Sequence, residues 1–194
     1  MYTLLVSKTI LFHTIIWTWL VAYIDDTVPY FPIEISRTAS GRLCRFIFPF
    51  GITLFCISAY YESTYPLSHT LIPIIGLLIT SYISDELHWV LHIVGVAVMG
   101  LGVTIHVLLC VYMRSDGYEF QLLYLISSSI LCTLYISLKV YGVLIHNKLV
   151  SLYDAYEQGM DINYNGKGTQ IQLKIFKLTG VVQWIIFILL TETY

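Results

Sequence analysis

The stretch SDELHWVLHIVGVAVMGLG, residues 84–102, sets two carboxylates and two imidazoles ahead of an apolar run studded with glycine. Groups of these types relay protons, ligate metals or grip polar headgroups, and inside a lipid solvent they are expensive enough to mark sites. Projected at about 100° per residue, Asp85, His88, His92, Gly95, Met99, Gly102 and His106 recur at alternating steps of three and four. That spacing draws one stripe down a helix. Asp85, Glu86 and His88 at its lip, with His92 below, are the candidate contact for a lipid or a partner span. Gly95, Met99, Gly102 and His106 continue it as a bundle seam, because glycine lets a neighbouring backbone approach and histidine bonds across helices.

Two other chemistries compete for the same histidines. His92 and His106 stand about 21 Å apart along a helix, the separation of two haem b groups near opposite membrane faces. The pairs would be His13 with His106 and His92 with His146. A proton-coupled channel or transporter would instead use His92 in its path, yet no charged residue lies deep in the first three apolar segments. Cys44, Cys56, Cys110 and Cys132 form no CxxC pair, so they read as soft packing residues. GxSxG, HExxH and paired acidic metal motifs are missing from the chain, which argues against an enzyme. The expected cofactor set is therefore empty, with haem as the alternative.

These residues need elements to position them, and composition says which. The chain is 57% hydrophobic and 11% charged, whereas soluble domains average about 25% charged residues. Lipid is the solvent that fits. A net charge of -2, with no basic run longer than two residues, excludes a nucleic-acid partner. A bilayer-crossing helix needs about 20 mostly apolar residues, and six segments qualify: 9–24, 46–61, 68–83, 86–112, 120–145 and 175–191. The expectation is all-α, a single domain over 1–194, with six transmembrane helices in one bundle. Ser127, Ser128, Ser129, Cys132 and Thr133 suit the fifth segment to close packing on a neighbour. Gln183 beside Trp184 would bond across the bundle in the sixth.

Both long connections, 25–45 and 146–174, fall on one side of such a bundle. Arg37, Arg42, Arg45, Lys148, Lys167, Lys174 and Lys177 gather there, and Lys139 would snorkel toward the same side; the other side has Lys8 and Arg114. The positive-inside rule places the long loops in the cytosol.

The order of features resembles the six-span FRAG/DRAM/Sfk superfamily, which joins the damage-regulated autophagy modulators, the Golgi protein of GPI-anchor lipid remodelling and the Sfk-type plasma-membrane proteins. The first loop of that family carries P-x-x-P and then a short I/V-S, here Pro29-Tyr30-Phe31-Pro32-Ile33-Glu34-Ile35-Ser36. Its fourth span opens on an acidic turn and a histidine before a small-residue helix, here Asp85-Glu86 and His92 to Gly102. Its last span sets an acid or amide beside an aromatic, here Gln183-Trp184. Ser36 stands one residue further from Pro32 than the pattern has it, and Gln replaces the acid often found at position 183. The resemblance implies a non-catalytic membrane protein of Golgi, lysosome or ER, acting on membrane lipids or other membrane proteins. It also implies lumenal long loops, the reverse of the charge count; Arg37, Arg42 and Arg45 would then meet lipid phosphates, which guanidinium forks bind bidentately.

Overall fold

A computed structural model describes residues 4–25, 31–35, 38, 41–62, 67–83, 85–115, 117–142 and 170–191. They form six helices, and no strand occurs among them: α1 (Leu4–Ile24), α2 (Cys44–Glu62), α3 (Leu67–Tyr82), α4 (Asp85–Met113), α5 (Tyr118–Val140) and α6 (Gln170–Thr191). Four are long and apolar enough to cross a membrane: α2, α4 from Val90 onward, α5 and α6. These support an integral membrane protein. At about 1.5 Å per residue, the 16 residues of α3 reach roughly 24 Å, short of the ~30 Å hydrocarbon core. The fifth segment of the sequence reading runs to 145, whereas α5 ends at Val140 and its last turn widens through Tyr141 and Gly142.

The most extensive helix pair is α3 with α4, followed by α1 with α2 and α5 with α6. Glycine makes the first of these possible. A methyl group added at Gly76 would strike the Met99 backbone, one at Gly95 would stand 2.7 Å from Thr80 Oγ1, and one at Gly102 would stand 2.5 Å from Pro73 Cδ. The partners descend along α3 as they ascend along α4, so the two helices zip antiparallel with backbones close together. Pro73 cannot donate a backbone N–H, and Gly102 is the residue that leaves room for its ring. The outward positions Val90, Leu91, Ile93, Val94, Val96, Ala97 and Leu101 of α4 are exposed. In lipid no hydrophobic force drives helices together, so this close packing and the polar contacts below decide the arrangement.

α6 is the buried helix of the molecule, with Phe176, Thr179, Gly180, Val182, Trp184 and Phe187 all inside. Trp184 is 2% exposed. It meets Trp19, Phe48 and Phe187 edge-on with ring centroids 5.7, 6.0 and 6.2 Å away, contacts worth about 0.5–1.5 kcal/mol each beyond burial. Leu11, Ile35, Ile52, Phe55, Cys56 and Leu77 complete this core. Ile35 is the surprise in that set, because it belongs to a connection rather than a helix.

Candidate functional site: a sealed carboxylate beneath the first long connection

Phe31 to Ile35 lie among the helix ends, with Ile33, Glu34 and Ile35 buried. Two prolines at 29 and 32 bias their neighbours toward extended backbone, which leaves carbonyls without helical partners. The bundle and the connection itself supply those partners. Trp184 Nε1 donates to Ile33 O at 2.8 Å, and the Thr38 hydroxyl donates to Ile35 O at 2.7 Å. Gly180 permits the approach, since a Cβ there would lie 2.5 Å from Pro32 O. Ile33 is 1% exposed and packs with Ala22 and Cys44 where α1 ends and α2 begins.

Between Ile33 and Ile35 sits Glu34, with no exposed surface at all. Its Oε2 lies 3.0 Å from Lys139 Nζ on α5, whose side chain is 18% exposed. Its Oε1 accepts from the Thr179 hydroxyl of α6 at 2.7 Å. That hydroxyl also stands 2.8 Å from Phe176 O. It has one proton to share, and an ionised carboxylate is the stronger acceptor. A charge in this position is tolerable only with a partner of opposite sign, and Lys139 is that partner. The ammonium also stands 5.5 Å from the Tyr135 ring centroid. One carboxylate thus ties three separate elements: the first connection, α5 and α6. Nearby, Gln172 Nε2 donates to Gly142 O at 3.3 Å, binding the same ends of α5 and α6.

The residues singled out from the sequence fall elsewhere. His92 is 5% exposed, and its Nδ1 lies 2.6 Å from Ile83 O. That carbonyl belongs to the end of α3, where intrahelical donors run out, so the imidazole closes the α3–α4 turn. Gly95 and Gly102 are buried and Met99 is half-buried against α3. His106, 4% exposed, places Nε2 3.6 Å from Cys110 Sγ one turn on. His88 departs from the stripe. Its backbone is extended (φ -158°, ψ 83°) and breaks the helix, its side chain is exposed, and its Nδ1 accepts from Leu91 N at 3.4 Å. It caps the membrane-crossing part of α4 rather than lining its face. Arg42 and Arg45 are exposed, and Gln183 is half-buried. The side chains of Asp85 and Glu86, and Arg37 and His146 entirely, lie outside the described residues.

Lys139 reaches toward the first long connection, and its ammonium ends on a carboxylate there. One expectation is corrected. The fifth segment does not pack through its whole small-residue run: Ser128 is buried, while Ser129 and Thr133 are exposed and bond back to the carbonyls of Leu125 and Ser129. Consecutive residues 100° apart cannot all face one neighbour. His13 is exposed on α1, edge-on to Phe12, whereas His106 is buried on α4. Among the described residues no cluster of three or more His, Cys, Asp or Glu side chains could hold a metal ion.

What sequence reasoning missed is Glu34. The signal was a single acid flanked by isoleucines, and a single lysine at the end of an otherwise uncharged apolar run, more than a hundred positions away. Two unlike lone charges facing the same membrane boundary are a pairing hint.

No family model matches the chain, and neither a curated protein nor a solved structure matches it.

Proposed function

We propose that the chain is a non-catalytic protein of the endomembrane system, one bundle of six transmembrane helices acting through recognition of a lipid or a partner helix. This is the role implied by its resemblance to the autophagy-modulator and GPI-anchor lipid-remodelling proteins. One observation carries the reading. Two of the motifs behind the resemblance, the proline-bracketed first loop and the aromatic of the last span, touch each other: Trp184 donates to Ile33 O, and Gly180 makes room for Pro32. Motifs 151 positions apart that bond in the interior belong to one device. The zipper of α3 on α4 supports six spans, because a short α3 shielded along its length by α4 satisfies its backbone internally.

A sealed Glu34–Lys139 pair would also suit a proton-coupled carrier, since intramembrane ionisable pairs often lie on ion paths. The pair joins the first connection to α5 and ties elements together, which favours the scaffold.

The test uses cells whose copy of the gene is disrupted. Two readouts are followed: sensitivity of a GPI-anchored reporter to phospholipase release, and autophagic flux. Re-expression of the wild-type chain restores whichever readout changes, and Gly180→Leu, which expels the first connection, does not. If neither readout responds to disruption, the proposed role is wrong.

A further inference from the structure

We infer that the start of α2 is a docking site for the phosphate of an anionic glycerophospholipid, with Arg42 and Arg45 as its cationic floor. This rests on the lipid-recognition reading above and names the ligand chemistry for it. Both arginines are exposed: Arg42 lies in the turn that enters α2 and Arg45 stands three positions on, in the first turn of the helix. Below them Leu43, Phe46 and Phe50 are 54%, 63% and 64% exposed. Large apolar side chains bared in this way belong in hydrocarbon, and cations directly above them belong at the headgroup level.

The Arg45 guanidinium lies 4.9 Å from the Phe46 ring centroid. Stacking holds its plane while leaving the N–H edge available to a planar or tetrahedral oxyanion. Asp25 accepts from Leu43 N at 3.4 Å, so it braces the backbone beside the arginines. A phospholipid matches the patch in two parts: phosphate on the guanidinium edge, and an acyl chain along Phe46 and Phe50. Lys174 on α6, exposed at the same end of the molecule, adds to the local positive potential, and each such cation near an anionic surface contributes separately.

The experiment purifies the full-length chain from nanodiscs of phosphatidylcholine containing one-fifth phosphatidylserine, then reads the co-purifying lipid by native mass spectrometry. Wild type retains phosphatidylserine above its bulk share. Arg42→Ala/Arg45→Ala lowers the bound phosphatidylserine-to-phosphatidylcholine ratio by about fivefold for each removed cation, while Lys8→Ala at the opposite end leaves it unchanged. Bound lipid that mirrors the bulk in wild type, or enrichment untouched in the double variant, overturns the inference. Carbonate extraction of each variant is the companion measurement: chain released from the membrane there defeats the membrane reading itself, a failure distinct from loss of selectivity. Should the double variant misfold, Arg45→Gln alone must show a fivefold loss, or the proposal falls.

Discussion

Replacing Lys139 by methionine keeps the length of the stem and deletes the ammonium, leaving the fully buried Glu34 carboxylate with the Thr179 hydroxyl. Breaking a buried pair from one side costs about 3–5 kcal/mol. Lys139→Met should therefore destabilise by about 3–5 kcal/mol. Glu34→Gln is milder. The amide still accepts from Thr179, and the ammonium, on a side chain already 18% exposed, can swing toward the interface, so about 1–2 kcal/mol is expected. The double variant removes both charges and should return to within about 1 kcal/mol of wild type, since buried pairs roughly break even against neutral replacements. The coupling is then about 3 kcal/mol or more. Unfolding of the four proteins by SDS titration in mixed micelles, followed by tryptophan fluorescence, measures it. Single-site effects that add to within about 0.5 kcal/mol would refute the claim that this ion pair fastens the first connection.

The glycines of the α3–α4 zipper separate contact from propensity. Gly76→Ala drives a methyl into the Met99 backbone and should cost about 1–3 kcal/mol. Gly100→Ala, with nothing within 4 Å of the added carbon, should gain up to about 1 kcal/mol from helix propensity; the same titration distinguishes them, and equal responses would count against the zipper. Trp184→Phe keeps an aromatic ring but leaves Ile33 O without its donor, at a cost of about 1–3 kcal/mol. Hydrogen exchange should then quicken at the amides of residues 33–35 before it does so in α6.

The helices were readable because lipid inverts the usual pattern without erasing it. In α4 the outward positions are apolar and the inward ones small or polar, so the three-and-four spacing of His92, Gly95, Met99 and Gly102 traces the side that meets α3. The trace fails at His88, where the extended backbone takes the residue out of helical register, and periodicity has no meaning across such a break. Glu34 was illegible for a different reason. It lies in a stretch with no period, between residues that read equally well as loop or strand, and its burial is imposed by Lys139 and Thr179 from distant positions. Nothing local distinguishes a carboxylate facing water from one folded under three helix ends.

The same contrast explains why the site stands at this end of α5. Within its membrane-crossing window α5 buries 6% of its residues, against 44% for α6. Packing alone does little to fix such a helix, since acyl chains satisfy its exposed leucines and isoleucines as well as protein does. Specific polar contacts must locate it, and the described ones cluster at its C-terminal end: Lys139 on Glu34, and Gln172 on Gly142 O. Glu34 in turn is held by a connection whose carbonyls are tied to Trp184 and Thr38. The position of α5 is thereby set through the first loop, so a lipid or partner helix that engages that loop has a direct mechanical route to the one helix that packing leaves least constrained.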